Sequence, residues 1–541
     1  MKPERVIVVG GGLAGLTAAL QLLERGVPVL LLEQHADFLG GRTQALSPMR
    51  FEVNGRSQEL SLDHGQHCLW SQYHNMRALM ARYELLSNLV SCEATQYVVD
   101  DGNEVQRLPP FDVNPLRPHP TLVHFLLHLF QATHSTNLGT KDYARLLRAL
   151  PKLSTAFAFE HARDFEAWDR LSIAEFFDWC GVPEHTKLIS HALQKASTFH
   201  SAYEMSAAWA LSMLEATMLN SANDHKMWCF RGNLGTHLID PLAARVKELG
   251  GEILLNASAV GIELKHGLVN AVNVVPSAGE GGVSGRHQRL HEPVALACSD
   301  VICATDIPGL RRFLLRDLGA DPQIRGVARL ETLANVTVRV VTRNRIDANE
   351  PWLGILAGKR FRVLDDYFVL SRYQDEFMAW SAREGGEVIE LHSYFGHSEL
   401  DLQAVSGDVV RKAIIEELRL VWPELEGNIL TVHTHKNPQT FDKQGIGHAV
   451  FQPRMQTSLS NLLLCGSFIR TDAAVHDMEK AVTTGMQAAN AILERRELTL
   501  WPVRAPEAPS PLQRLARKAL PFLPVPRAVR RFQAQRAGIV S

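Results

Sequence analysis

The chain opens on a short β-branched run, residues 5–9 (RVIVV), which three glycines interrupt before an Ala/Leu-rich stretch from Leu13 to Arg25. Gly26 ends that stretch, and residues 27–33 (VPVLLLE) form a second apolar run that closes on an acid. Short, continuous apolar runs bounded by glycine predict strands buried on both faces, and the segment between them has helical composition. The reading is strand, tight turn, helix, strand: a right-handed βαβ unit. From about 110 to 245 the apolar spacing becomes helical, as in Leu122–Ala132, Tyr143–Leu150, Ile173–Trp179 and Ala207–Met218. Strand patterns return at 251–264 (GEILLNASAVGIEL) and 268–275 (LVNAVNVV), followed by a Gly/Ser-rich hairpin loop at 276–285. Residues 294–304 (VALACSDVICA) lead into another sharp turn. Alternation at 335–343 (NVTVRVVTR) and 386–395 (GEVIELHSYF) predicts an antiparallel sheet, and the last folded helix is expected from Asp477 to Arg495.

These elements predict a discontinuous α/β protein with α+β insertions. One nucleotide-binding domain is expected from segments 1–90, 241–310 and 441–496. A mainly helical insertion fills 91–240, a sheet-bearing insertion fills 311–440, and a basic, Pro-rich tail runs from 497 to 541. The length of 541 residues suits about three structural units.

Composition narrows the function. With 56 Lys+Arg against 58 Asp+Glu, the chain lacks the clustered positive field that a nucleic-acid-binding body needs. The seven cysteines are scattered at 68, 92, 180, 229, 298, 303 and 465, with no CxxC pair, which fits a reducing compartment. The N-terminal apolar run is too short for a signal-peptide core, and no 18-residue apolar window suggests a membrane span. His124 and His128 stand one helical turn apart, with His119 nearby, but no HExxH motif or third acidic ligand accompanies them. No metal is expected.

The chemistry begins at Gly10–Gly11–Gly12–Leu13–Ala14–Gly15, a GxGxxG between strand and helix. Gly10 permits the turn, Gly12 lets a pyrophosphate approach the backbone, and Gly15 lets helix and strand pack closely. The helix N-terminus, starting at Leu13 and Ala14, offers N–H groups and a positive dipole end to phosphates. Glu33, 18 residues beyond Gly15, is placed to accept ribose hydroxyl hydrogen bonds.

Just past Glu33 comes Leu39–Gly40–Gly41–Arg42–Thr43. This GG-R segment resembles the flavin fingerprint of the phytoene desaturase and amine oxidase superfamily. The resemblance implies FAD, with Gly41 approaching the cofactor and Arg42 meeting its phosphate, and an amine oxidase or p-hydroxybenzoate hydroxylase-like architecture. It also implies that Val260, in Asn256–Val260, holds the adenine through its backbone. Residues 462–493 resemble the superfamily's closing motif, in which a strand ends in Gly-Asp and a helix N-terminus points at the flavin. Gly466, Met478 and Glu479 match that motif. Ser467 stands where relatives usually carry a ribityl-binding Asp. A serine hydroxyl can still hydrogen-bond a ribityl hydroxyl.

The segment Leu62–Asp63–His64–Gly65–Gln66–His67 resembles a stretch of bacterial carotenoid and squalene-type desaturases. Residues 370–380 and 385–395 look closest to the carotenoid ring desaturases, the isorenieratene synthase-like group. Hydroxysqualene dehydroxylase carries a version of the first segment. The resemblance implies oxidation of a carotenoid- or squalene-like isoprenoid. Such a hydrocarbon needs a hydride acceptor that no side chain supplies, and flavin N5 can accept the hydride. His64, Gln66 and His67 are the polar residues expected near the flavin, where a histidine could take the proton that follows hydride loss. Phe157, Phe159, Phe176, Phe177, Trp179 and Trp209 are candidates to line an apolar channel. A flavin amine oxidase acting on a small amine is the alternative enzyme, and a non-catalytic flavin-bound lipid carrier or scaffold is the alternative of another class. Quinone and dioxygen are both open as electron acceptors.

The tail alters the meaning of the neutral total. Residues 501–541 hold eight basic residues and one acid, leaving the rest of the chain net acidic. Basic and apolar residues interleaved in short segments suit an anionic membrane surface. A cytoplasmic enzyme, peripheral on the inner membrane, is the expected location.

Overall fold

A computed structural model describes residues 4–92, 95–100, 102, 104–107, 140–198, 200–216, 227–277, 292–394, 405–437, 440–509, 511–519 and 525–536. The expected helix at 122–132, the three histidines at 119, 124 and 128, and most of the 276–285 loop lie outside the described residues.

The apolar runs of the sequence form a five-stranded parallel sheet. Its spatial order is Glu252–Leu254, Val29–Leu32, Val6–Val9, Asp300–Cys303, Leu462–Leu464. Numbered along the chain, that order is third, second, first, fourth, fifth. Val6–Val9 therefore stands at the point where the winding reverses, and a crevice opens beyond the carboxyl ends of the first and fourth strands. The strands are apolar on both faces because both faces are covered. Helix Leu13–Leu23 and the closing helix Asp477–Arg495 pack on one side. Helix Ile307–Leu318 and a three-stranded antiparallel sheet, Ala257–Lys265, Leu268–Pro276 and Val294–Ala297, pack on the other. The two helices approach so closely that a Cβ on Gly485 would lie 2.5 Å from the Ala14 carbonyl oxygen.

A seven-stranded sheet forms the second layer, in the order Ile429–Lys436, Val336–Thr342, Val388–Ser393, Asp366–Val369, Leu353–Gly358, Thr95–Asp100, Val105–Arg107. All its pairings are antiparallel except that of Leu353–Gly358 with Thr95–Asp100. The two alternating segments of the sequence are adjacent here, Val336 opposite Ser393.

The helical region comprises Thr140–Leu153, His161–Trp168, Ile173–Cys180, Glu184–Thr198 and Ala207–Leu214. Ser172 and Glu175 form a capping box at the start of Ile173–Cys180. Phe159, Phe176 and Trp209 are buried in this region's core, Phe177 and Trp179 pack at its edge, and Phe157 is also buried. Most of the aromatic residues proposed for a channel thus pack against other side chains.

The tail is docked on the body. Trp501 donates its indole N–H to the Gln21 carbonyl at 3.1 Å. Two helices follow, Pro511–Ala519 and Val525–Arg536. Arg517 pairs with the buried Glu215, and Val525 and Val529 join the helical core. Leu515 and the charged residues Arg514, Lys518, Arg527, Arg530 and Arg531 face outward. Among the described residues, no helix is long and apolar enough to cross a membrane, and no cluster of metal-ligating side chains occurs.

Candidate active site

The Gly-rich turn sits at the crevice predicted by the strand order. Gly10 has φ +108°, and a Cβ there would lie 2.6 Å from the Ala304 carbonyl oxygen at the end of the fourth strand. A Cβ on Gly15 would strike the Gly10 carbonyl at 2.0 Å. Gly12 differs: the nearest atom to an added Cβ is 3.7 Å away, so its backbone borders open space. Gly12 also caps helix Leu13–Leu23 without any side-chain hydrogen bond, and the first turn contains no acid. The N–H groups of Leu13, Ala14 and Gly15 form the electropositive end that a pyrophosphate requires.

Glu33 is buried, and its two oxygens accept the N–H groups of Gly11 and His35, each at 2.8 Å. Burial raises its pKa while those donors oppose the shift. A carboxylate has about four acceptor positions, so Glu33 retains capacity for ribose hydroxyls. The strand carrying Val260 is tied to this acid, since Ala257 donates its N–H to the Glu33 carbonyl at 2.8 Å. Val260 lies in a bulge between the paired residues Ala259 and Gly261. Its backbone groups are therefore outside the ladder, and its carbonyl lies 3.5 Å from Arg316 Nη2.

The GG-R segment and the closing motif meet across the same crevice. Gly40 and Gly41 have φ +111° and +56°, and Gly40 donates its N–H to the Gly11 carbonyl at 2.9 Å. Arg42 donates through Nη2 to Ser467 Oγ at 2.6 Å, and its Nη1 lies 3.8 Å from Asp442 Oδ1. Gly466 has φ +139° and donates its N–H to Thr484 Oγ1 at 2.9 Å. Met478 is buried in the first turn of the closing helix. Beside it, burial and the neighbouring Asp442 push Asp477 up to about 6. These residues fit FAD: they supply a phosphate cradle, a ribose acceptor, an arginine and a helix N-terminus along one crevice.

Lys480, 2% exposed, closes the same turn with Nζ 4.6 Å from the Trp209 ring centroid. Burial lowers its pKa to about 8 against the pull of Asp442 and Asp477. It borders a cavity of about 300 Å³ whose walls include His161, Trp209, Arg470, Thr471 and Asp472. Burial holds His161 near 4 and His476 near 3, so both are neutral at physiological pH.

The loop His64–His67 rests on the seven-stranded sheet. His64 Nδ1 lies 2.6 Å from Asn437 Oδ1, and its carbonyl accepts the Thr337 hydroxyl at 2.9 Å. Gln66 donates to the His67 carbonyl at 3.1 Å and accepts from Gln374 at 3.0 Å. His67 Nδ1 faces the Gly65 carbonyl at 2.8 Å, which fixes the proton on Nδ1 and leaves the Nε2 lone pair as the basic site. Burial lowers its pKa to about 4, with smaller contributions from His64 and Arg42. The Arg42 effect links this loop to the cofactor cradle.

Beneath the loop lies a charged network that sequence reasoning missed. His392 is held between Asp366 (2.6 Å from Nδ1) and Glu390 (3.1 Å from Nε2), and Glu390 pairs with Arg339. Burial opposes the His392 charge, but the two carboxylates keep its pKa up at about 10. Burial likewise opposes the Glu390 charge, yet Arg339 and His392 bring it down to about 2. Asp63, buried beside this network, is pushed up to about 8 and accepts the Leu234 N–H at 3.2 Å. A signal was present: Glu390 and His392 alternate on one face of an otherwise apolar strand, and Arg339 interrupts another.

The doubly wound sheet, Gly-rich turn and closing helix define a flavin-binding oxidoreductase. The chain belongs to the family of flavin containing amine oxidoreductases, which matches residues 13–493. It is an FAD-dependent oxidoreductase, and the non-catalytic carrier alternative is set aside. Carotenoid phi-ring synthase of Streptomyces griseus is 28% identical over 518 residues, covering 94% of this chain and 92% of that protein. A probable zeta-carotene desaturase of Synechococcus elongatus is 23% identical, covering 91% and 99%. Among solved structures, putrescine oxidase bound to putrescine superposes with a TM-score of 0.63 at 15% identity, covering 91% of this chain and 99% of that one. Cyclohexylamine oxidase from Brevibacterium oxydans gives 0.62 at 14%, covering 92% and 100%. The two oxidases share the fold.

Proposed function

We propose that this enzyme desaturates or dehydrogenates a carotenoid- or squalene-like isoprenoid. The observation that carries the reading is the near-full-length similarity to carotenoid phi-ring synthase. When bound, FAD supplies a hydride acceptor at N5. The chain supplies the rest. The Gly10–Gly15 turn, Glu33, Gly41, Arg42, Val260, Gly466, Ser467 and Met478 hold and orient the cofactor. His67, neutral with its Nε2 lone pair available, takes the proton that a substrate cation releases, and His64 and Gln66 fix the loop around it.

A small-amine substrate fits less well. The cavity beside the closing helix sets Arg163, Arg454, Arg470 and Lys480 against the acids Glu166 and Asp472, and that net positive lining disfavours an ammonium ion. Anaerobic flavin bleaching separates the readings: bleaching by a polyene or triterpene supports the first, and bleaching by amines overturns it. Expression in hosts that accumulate lycopene, β-carotene or squalene, with product masses read by chromatography, then identifies the substrate.

The outward residues Arg514, Leu515, Lys518, Arg527, Arg530 and Arg531 give the docked tail a basic face with an exposed leucine. This supports peripheral contact with the anionic inner membrane surface, where an apolar substrate dissolves and a quinone acceptor is available. Dioxygen is the alternative acceptor, and reoxidation rates under each distinguish them.

A further inference from the structure

We infer that Asp442 is a cofactor-binding residue, its carboxylate accepting a hydrogen bond from a ribityl hydroxyl of FAD. Asp442 belongs to neither the first βαβ unit nor the closing motif. It sits on the short strand Phe441–Asp442, pinned by antiparallel pairing to Thr332–Leu333. Its side chain is 10% exposed.

Three pieces of the cofactor site converge on it. Arg42 approaches Asp442 Oδ1 to 3.8 Å while stacking 4.9 Å over the Phe441 ring. Ser467 Oγ lies 3.3 Å from the same oxygen. The charge of Asp442 is also felt by Asp477 and Lys480 at the start of the closing helix. Asp442 therefore lies in the interval that the cofactor must cross between the phosphate cradle and the closing helix. The part of FAD that crosses it is a polyol, whose hydroxyls need acceptors in a partly dry crevice.

The hydrogen-bond inventory favours Asp442 over Ser467. The Ser467 hydroxyl accepts from Arg42 and directs its single proton toward Asp442. A carboxylate only accepts, and with one donor and one longer ion pair among the described residues Asp442 keeps unused lone pairs. The resemblance of the closing motif implies an acid where this chain has Ser467, and Asp442, from another segment, stands 3.3 Å from that serine's hydroxyl.

The test uses the full-length holoenzyme and does not depend on the substrate. FAD release on dilution is followed by the recovery of flavin fluorescence, and ADP, which has both phosphates but no ribityl chain, serves as competitor. Asp442→Asn is expected to weaken FAD binding about ten- to a hundredfold, the range for one charge-assisted hydrogen bond, with ADP affinity unchanged. Ser467→Asp in the Asp442→Asn background is expected to restore most of the loss. Equal losses for FAD and ADP would overturn the inference in favour of a role through Arg42 on the phosphates. Unchanged FAD affinity, absence of rescue, or an Asp442→Asn chain that fails to fold would overturn it as well.

Discussion

Glu479 ties the closing helix to the helix that begins at His74: its Oε1 accepts the Asn75 N–H at 2.9 Å, and its Oε2 accepts the Met76 N–H at 2.8 Å. The Asn75 side-chain amide adds a third bond to Oε1, also at 2.9 Å. An acid at a helix N-terminus satisfies donors that otherwise have no partner and opposes the positive end of the dipole. Glutamine offers only one oxygen. Glu479→Gln should therefore lower unfolding free energy by about 2 kcal/mol, and Glu479→Ala by more, as measured by urea denaturation. A loss below about 0.5 kcal/mol would show that this connection is replaceable by solvent.

Two glycines in one motif should fail differently. Gly15→Ala places a methyl 2.0 Å from the Gly10 carbonyl, so the protein should melt at a lower temperature with or without cofactor. Gly12→Ala meets nothing closer than 3.7 Å, so the fold should persist while bound FAD falls sharply. Thermal melts and flavin absorbance on the two variants separate these outcomes. Full FAD content in Gly12→Ala would contradict the cradle.

The His392 network should shape stability against pH. His392 has its pKa raised to about 10 in the fold, so its contribution is complete below the ordinary value near 6.5 and disappears as pH rises through 10. Glu390 is depressed to about 2, so its contribution is present above the ordinary carboxylate value and is lost as pH falls through 2. His392→Gln leaves Asp366 and Glu390 without their shared cation and should cost about 3 kcal/mol near neutrality. The difference between wild type and variant should shrink steadily from pH 7 to pH 10. A constant difference would mean that His392 is neutral in the fold.

If His67 accepts the substrate proton, His67→Gln should lower turnover about a hundredfold with full flavin content. Wild-type turnover should then fall as pH drops through about 4, where His67 becomes charged. Unchanged turnover in a flavin-replete variant would remove His67 from the chemistry.

The tail offers two independent tests. Val529→Asp places a charge in the helical core and should destabilise the protein by several kcal/mol. Replacing the outward Arg527, Arg530 and Arg531 with Glu should leave the melting temperature nearly unchanged and release the protein from vesicles containing anionic phosphatidylserine. Sedimentation unaffected by that reversal would exclude membrane contact through this face.

Much of the fold was legible because its parallel strands are short, continuous and bounded by glycine, and because the closing helix keeps one apolar face from Asp477 to Arg495. The Gly-rich turn was legible for the same local reason. The His64–Asn437 contact joins residues 373 positions apart, and no periodicity within either segment encodes it. Asp442 escaped notice because its own strand is two residues long. The docking of the tail was not legible either. Val525 and Val529 alternate with arginines as they would on a membrane-seeking helix, and only the body's helical core distinguishes the two destinations.

The order of the parallel sheet carries a consequence for synthesis. Leu462–Leu464, the strand that completes the sheet edge, leaves the ribosome long after Asp300–Cys303 is available to pair with it. Until then the fourth strand presents an unpaired edge that is apolar from Val301 to Cys303, a template for association between nascent chains. Arg42 waits over the same interval for Ser467. The nascent protein therefore carries an open sheet and an incomplete cofactor crevice until residues 462–467 have emerged, and a chaperone that shields this edge should raise the yield of flavin-loaded enzyme.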